Sequence, residues 1–156
     1  EYLKDASVGE GEVNFWDLGP ELTRPARSLK LWITLQVMGS DAMSAMIDHG
    51  YELAETAEET LRSLPDWEIV SPAAQAVINF RYAPAGMSGR ALDELNQRIS
   101  REICASGFAQ VLTTELNGKK VLRICALNPA TTREDMVETV KLLDRCAREA
   151  VGRMSA

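Results

Sequence analysis

An arginine within an apolar, strand-like stretch is the residue of this sequence best suited to bind an anion. Arg123 lies in Val-Leu-Arg-Ile-Cys-Ala at residues 121–126, with apolar residues on both sides. A guanidinium is costly to bury without an anionic partner, and it can hold a carboxylate through two parallel hydrogen bonds. The alternative is a structural arginine that points to solvent or forms an ion pair. The pattern alone favours that alternative, because charged side chains are mostly exposed.

Two further sets of residues could carry chemistry. Arg24 and Arg27 open a stretch typical of a helix, and Lys30 lies on the same side of it. Cations at a helix N-terminus oppose the helix dipole, so either a nearby anion or good solvation must balance them. Tyr2 precedes a polar, glycine-containing segment, where its hydroxyl could donate a proton once the segment closes.

No complete catalytic or metal-binding motif is present in the sequence. It contains no glycine-rich phosphate loop and no HExxH, GxSxG or CxxC motif. Cys104, Cys125 and Cys146 are about 21 residues apart in apolar stretches, so we predict small buried residues rather than disulfides or zinc ligands. Reduced thiols indicate the cytoplasm. The single histidine, His49, precedes Gly50 and is interpreted as a partner for a helix C-terminus.

The composition excludes several classes of protein. The 156 residues carry 17 basic and 23 acidic side chains, a net charge of −6, which argues against a nucleic-acid or anionic-membrane partner. No apolar run reaches the ~18 residues needed to span a bilayer. The sequence begins with glutamate rather than methionine, so we expect a processed protein or a piece of a longer one.

Hydrophobic periodicity and turn residues predict four helices and four strands after a polar, irregular segment at 1–23. Asn117-Gly118 predicts a type I′ hairpin turn, Ser88 a helix N-cap, and Thr131-Thr132-Arg133-Glu134 a capping box. The predicted helices span about 25–39, 40–64, 88–106 and 132–151, and the predicted strands span 67–70, 75–82, 110–116 and 119–126.

This order of elements predicts an α+β fold, in which a small antiparallel sheet has helices on one face. Long polar loops of this kind are usually functional or disordered, so we expect residues 1–23 to form a mobile loop and 24–64 to form connecting helices. Residues 65–156 are then a small C-terminal α+β domain. The apolar faces of the connecting helices exceed what this sheet can cover, so further polypeptide is expected against them.

Three stretches resemble one enzyme family. Leu-Thr-Arg-Pro-Ala-Arg-Ser-Leu-Lys-Leu-Trp at 22–32 resembles the arginine-rich block of the pyridoxal-phosphate-dependent group II decarboxylases. The arginine strand at 121–126, with the Asn-Pro that follows it, resembles the last strand and helix start of that family. Tyr2-Leu3 resembles the start of its mobile catalytic loop. The resemblance runs through the whole chain and implies the C-terminal segment of a fold-type-I enzyme. Residues 1–23 would then be a catalytic-type loop and the end of the large domain, followed by the connecting helices and the small C-terminal domain.

The resemblance also implies an activity and residue roles. The activity is removal of the α-carboxylate of an L-amino acid, aromatic amino acids being favoured, as carbon dioxide. Tyr2 matches the tyrosine that protonates the substrate carbon, and Arg123 matches an arginine near the substrate carboxylate. Leu22 and Thr23 match a segment that reaches the cofactor phosphate of the other subunit, which implies a homodimer. The lysine that binds pyridoxal phosphate follows a histidine in the family, and no such lysine is present, so it is expected upstream or in a separate large-domain chain.

Two other hypotheses stay open. A stand-alone α+β binding or assembly module would account for the capped helices and for the lack of a complete catalytic motif. A pyridoxal-phosphate aldehyde synthase or a transaminase-like enzyme would keep the cofactor but change the reaction, although a tyrosine at position 2 favours simple decarboxylation within the resemblance.

Overall fold

Four helices and four strands follow one another in the predicted order. The computed structural model describes residues 26–154, so Tyr2, Leu22, Thr23 and Arg24 lie outside the described residues. The chain divides into two compact units, Glu1–Ser40 and Asp41–Ala156. The elements are α1 (Ser28–Met38), α2 (Ser40–Arg62), β1 (Trp67–Ala74), β2 (Val77–Tyr82), α3 (Gly89–Ala105), β3 (Leu112–Leu116), β4 (Lys119–Cys125) and α4 (Arg133–Met154).

The described part of the first unit consists mainly of α1, which is apolar on all sides. None of its residues is buried, and Trp32 and Val37 are 59% and 79% exposed. Gly39 ends the helix as predicted: its φ of +82° is readily available to glycine, and its N–H donates to Leu35 O at 2.9 Å. A helix that is apolar all round is typical of the interior of a larger protein.

The second unit contains an antiparallel sheet with the strand order β1-β2-β4-β3. Alternation along the strands gives the sheet two faces. One face packs against α2, α3 and α4 in a single hydrophobic core, which confirms the predicted α+β fold. Its fully buried side chains include Leu61, Ile78, Phe80, Leu95, Ile99, Leu122, Val140 and Leu143.

Alternation places Asn79, Arg81, Val121 and Arg123 on the opposite side of the sheet, which is called the second face below. The register of β2 and β4 pairs Asn79 directly with Arg123 and pairs Phe80 with Leu122 on the core side. Strands β2 and β4 therefore turn most of their large apolar side chains toward the helices and most of their polar ones away from them, while the buried Val121 lies with the polar residues on the second face.

Two hairpin turns use positive φ angles, but only one has the sequence signature of such a turn. Asn117 and Gly118 have φ of 53° and 70°, consistent with the predicted type I′ turn. Gln75 and Ala76, between β1 and β2, have φ of 50° and 61° without a glycine or asparagine. Ala76 is buried, and its O accepts a hydrogen bond from the N–H of Ala126 at 2.8 Å, so tertiary contacts hold this turn.

The predicted helix starts need two corrections. Ser88 occupies the N-cap position of α3, but its side chain makes no capping hydrogen bond. The capping box of α4 is one residue later than predicted and does not use Thr131 or Glu134. Thr132 Oγ1 accepts from Asp135 N at 3.1 Å, and Thr132 N donates to Asp135 Oδ2 at 2.9 Å. An aspartate thus takes the place of the usual glutamate, and Thr132 Oγ1 also donates to the same carboxylate oxygen at 2.8 Å.

None of the helices within residues 26–154 combines the length and apolar character that a membrane span requires.

Candidate functional site

Arg123 lies on β4, and the side chains on either side of it in sequence, Leu122 and Ile124, are buried in the core. Because the strand alternates, Arg123 points to the second face, where it is exposed. Its Nε donates to Oδ1 of Asn79 at 2.8 Å. Within residues 26–154 no ion pair joins Arg123 to a carboxylate, which leaves its two Nη nitrogens available for an external anion.

Asn79 and Arg81 are two functional-site candidates that the sequence analysis missed. Both are buried on the second face, at 7% and 4% exposure. The sequence carries a signal for both residues, because they alternate with the apolar Ile78, Phe80 and Tyr82. In a strand, such alternation places the two polar side chains on the same face.

Arg81 is a buried cation with incomplete hydrogen bonding. Its Nη2 lies 3.4 Å from Oδ1 of Asp93 on α3, while its Nε has no hydrogen-bond partner among the described residues. Asp93 Oδ1 also accepts from Lys120 N at 3.1 Å. Asp93 therefore connects both Arg81 and the start of β4 to α3. The buried Nε of Arg81 is unusual, because nearly all buried donors in folded proteins have a hydrogen-bond partner.

The β2–β4 ladder stops one residue before Arg81, at the pair formed by Phe80 and Leu122. Beyond that pair, the side chain of Asn96 from α3 replaces the strand partner. Its Oδ1 accepts from Tyr82 N at 2.8 Å, and its Nδ2 donates to Tyr82 O and to Leu92 O, both at 2.9 Å. Helix α3 thus fixes the end of β2 and holds the strand that carries Asn79 and Arg81.

The interpretation of His49 as a helix C-terminal partner is wrong. Helix α2 continues past Gly50 to Arg62, and His49 Nε2 donates to Thr131 O at 2.8 Å, just before α4. Gly50 is buried, and a Cβ there would lie 2.7 Å from Ala126 O, so the close packing leaves no room for a side chain at this position. His49 and Gly50 therefore dock α2 against the segment between β4 and α4, and neither contributes to the second face.

The three cysteines are free thiols, and they differ in burial. Cys104 and Cys146 are partly buried against the core, which confirms their predicted environment only in part. Burial raises the pKa of the Cys146 thiol, with a smaller contribution from Glu102. The prediction of a buried residue is wrong for Cys125, which is exposed at the end of β4 on the same side of the sheet as Arg123. Among the described residues no three His, Cys, Asp or Glu side chains are grouped to hold a metal ion.

A groove of about 340 Å³ lies near the N-terminal end of α4 and is lined by residues that include Phe108, Cys125 and Asp135. Neither Asn79 nor Arg123 lines it. The carboxylate of Asp135 is occupied by the capping box, and its hydrogen bonds from Thr132 lower the pKa of Asp135. Asp135 is the charged residue among the described residues that line this groove, and its Oδ2 is engaged at the start of α4, so the second face stays the better candidate site.

Comparison with known proteins identifies similar enzymes, although no protein-family model matches the chain. An aromatic-L-amino-acid decarboxylase of Bacillus atrophaeus is 41% identical over 151 residues, which are 96% of this chain and 32% of that protein. A phenylacetaldehyde synthase of Arabidopsis thaliana is 33% identical over 139 residues, covering 88% of this chain and 28% of the relative. The chain thus spans about a third of the length of these relatives.

A solved structure also shows similarity to this group of enzymes. The crystal structure described as Oryza sativa TDC with PLP and tryptamine superposes with a TM-score of 0.81 at 25% identity, covering 96% of this chain and 31% of that one. Together these similarities confirm the resemblance to the C-terminal part of a group II pyridoxal-phosphate decarboxylase, and they confirm the fold.

The described residues do not fit a pyridoxal-phosphate site of their own. A lysine that forms a Schiff base needs a desolvated position or a neighbouring cation that lowers its pKa. Lys30, Lys119 and Lys141 are exposed, Lys120 is half-buried at the start of β4, and Lys119 is also paired with Glu68 at 3.0 Å. Residues 26–154 therefore do not hold the cofactor alone.

Proposed function

We propose that this chain is the C-terminal part of a pyridoxal-phosphate-dependent decarboxylase that converts an L-amino acid, with aromatic amino acids favoured, to an amine and carbon dioxide. The 41% identity to an aromatic-L-amino-acid decarboxylase, over nearly the whole chain, carries this proposal. The cofactor lysine and the ring-binding residues are then in polypeptide outside this chain, as is most of the pocket for the substrate side chain.

The role proposed for this chain at the active site is recognition of the substrate carboxylate by Arg123. Within residues 26–154 the hydrogen bond of Arg123 runs from Nε to Asn79, and it leaves the outer edge of the guanidinium open to a bidentate carboxylate contact. A fixed contact of this kind would orient the bond that breaks, because an amino acid held at both ends has few orientations. Tyr2 is proposed as the proton donor to the substrate carbon, and Leu22 and Thr23 as contacts to the cofactor phosphate of a partner subunit.

The exposed surface of α1 supports the presence of further polypeptide. The side chains of Leu31, Trp32 and Val37 are each more than half exposed on an 11-residue helix without a buried residue. An apolar surface of this kind is costly in water and marks an interaction site. We propose that the rest of the enzyme covers α1 and that the assembled enzyme is a cytoplasmic homodimer.

A product assay tests the proposed reaction. The full-length protein that contains this chain, loaded with pyridoxal phosphate, is expected to convert aromatic L-amino acids to amine and carbon dioxide in equal amounts. The 33% identity to a phenylacetaldehyde synthase gives the second candidate, for which aldehyde, ammonia and hydrogen peroxide are the products to measure. The 156-residue chain alone is expected to release no carbon dioxide, and turnover by that chain would contradict the proposed division of the active site.

Substitution of Arg123 tests the proposed carboxylate contact. In the full-length protein, Arg123→Ala is expected to raise the KM for the amino acid by about 10–100-fold, because a charge-assisted bidentate contact is lost. The inhibition constant of the product amine should stay within about twofold, since the amine has no carboxylate. Arg133→Ala is the matched control, because Arg133 is an exposed arginine at the start of α4. An equal loss of affinity for the amino acid and the amine would contradict a carboxylate contact.

A further inference from the structure

We propose that Asn79 is a positioning residue that fixes the orientation of the Arg123 guanidinium on the second face. The functional consequence, tighter binding of the substrate carboxylate, rests on the proposed function. The orientation of Arg123 itself rests only on the contact between the two side chains.

Asn79 and Arg123 are direct cross-strand partners in the β2–β4 ladder, and both side chains lie on the second face. The Oδ1 atom of Asn79 accepts from Nε of Arg123 at 2.8 Å. Nε is the donor nearest to the aliphatic chain, so this bond fixes the plane of the guanidinium without using either terminal nitrogen. The two Nη nitrogens are left side by side, which is the geometry that a bidentate carboxylate requires.

Asn79 is buried whereas Arg123 is exposed, and this difference allows Asn79 to restrict Arg123. Asn79 is 7% exposed in the sheet, whereas Arg123 is exposed. A buried amide has few rotamers, so it offers a fixed acceptor to a side chain that otherwise has large rotamer freedom. The buried partner therefore restricts the exposed one, and restriction before binding lowers the entropy that the ligand must overcome.

The neutral amide of Asn79 also preserves the charge that Arg123 offers to a ligand. An aspartate at this position would form an ion pair with Arg123 and compete with an incoming carboxylate. The amide supplies an acceptor of similar shape without a negative charge. Arg81 on the same face illustrates the other arrangement, because its guanidinium already faces the carboxylate of Asp93 at 3.4 Å.

A double-mutant cycle in the full-length, cofactor-loaded protein tests the functional consequence. Asn79→Ala is expected to lower kcat/KM for the amino acid by about tenfold, through KM, while the inhibition constant of the product amine stays within about twofold. In an Arg123→Ala background the same substitution should change kcat/KM by less than about twofold, because the residue it positions is gone. Equal losses in the two backgrounds would overturn the proposal. Ser71→Ala, which alters the register partner of Asn79 on β1, is the control and should leave kcat/KM unchanged.

Crystal structures provide a readout that does not depend on turnover. Arg123 is expected to adopt one orientation in the full-length parent protein and several, or a different one, in Asn79→Ala. Asn79→Ser serves if the alanine variant does not fold, since serine keeps a polar group but is too short to reach Nε. An unchanged Arg123 orientation in these variants would refute the positioning role. A parent protein without decarboxylase activity would instead refute the proposed function, and the two structures would still decide the role of Asn79.

Discussion

On the face of the sheet that packs against α2, α3 and α4, strands β2 and β4 place Ile78, Phe80 and Leu122, whereas on the second face the same strands place Asn79 and Arg123. The first set is fully buried and makes the hydrophobic core. The second set holds an exposed guanidinium on a buried amide. Because successive side chains of a strand point to opposite sides, one strand can contribute apolar residues to the core and also carry the residues of the proposed carboxylate contact.

The largest expected effect is the loss of a core side chain. Phe80→Ala should lower the free energy of unfolding by about 3–5 kcal/mol, because it removes a fully buried ring and leaves a cavity beside Trp67. Urea denaturation measures this change. Leu112→Ala is the matched control on the other side of the sheet, where Leu112 pairs with Arg123 and is 56% exposed, and its effect should stay below about 1 kcal/mol. If both substitutions lowered the free energy of unfolding by a similar amount, the second face would contribute as much to stability as the core face, which would contradict the prediction.

The next largest change in stability is expected from the hydrogen bonds between α3 and the end of β2. Asn96→Ala should lower the free energy of unfolding by about 2–4 kcal/mol, because it leaves both backbone groups of Tyr82 without a partner in the interior. Thermal or chemical unfolding gives the value, and Gln97→Ala, at the exposed neighbouring position, should be close to neutral. An unchanged free energy of unfolding in Asn96→Ala would show that the hydrogen bonds from α3 to Tyr82 do not stabilise the end of β2.

A smaller, pH-dependent effect is expected at Glu58 on α2. The N–H of Ala73 donates to its carboxylate at 2.6 Å, and this bond, with a smaller contribution from Arg62, holds the pKa of Glu58 below its ordinary value of 4.5. A lowered folded-state pKa stabilises the fold above the unfolded-state pKa, and this stabilisation is lost as the pH falls through the lowered value.

Substitution isolates this contribution. Glu58→Gln should cost about 1 kcal/mol at neutral pH, and its difference from the parent protein should shrink as the pH falls below 4.5. Glu55→Gln, one turn earlier at an exposed position, should show no such convergence. Denaturation at a series of pH values makes the comparison, and a difference that grows in acid would contradict the assigned hydrogen bond.

The smallest change in stability is expected on the second face. Arg123→Ala should alter the free energy of unfolding by no more than about 1 kcal/mol, because it removes one hydrogen bond from an exposed side chain. The same denaturation assay applies, with Phe80→Ala as the reference for a core position. A decrease of several kcal/mol in the free energy of unfolding would show that Arg123 stabilises the fold. It would favour the alternative of a structural arginine over a carboxylate-binding residue.

Local sequence signals predicted the elements well and the contacts between them less well. The apolar spacing of α2, α3 and α4 and the Asn117-Gly118 turn depend on nearest neighbours in the chain, and they are found as predicted. The turn at Gln75 and Ala76 has no local signature, because its positive φ angles are held by contacts with distant residues. The contact of His49 has no local signature for the same reason, since its hydrogen-bond partner is 82 residues away.

The same division applies to the candidate site. The sequence by itself determined that Arg123 lies in an apolar strand, that the chain resembles the C-terminal part of a decarboxylase, and that the resemblance includes Tyr2, Leu22 and Thr23, whose roles stay predictions. Only the tertiary structure decided that Arg123 is exposed, that Asn79 is its partner 44 residues away, and that Arg81 is buried on the second face next to Asp93 of α3. Element type follows from local backbone preferences and hydrophobic period, whereas the neighbours of a charged side chain are set by strand register, which brings together residues far apart in the chain.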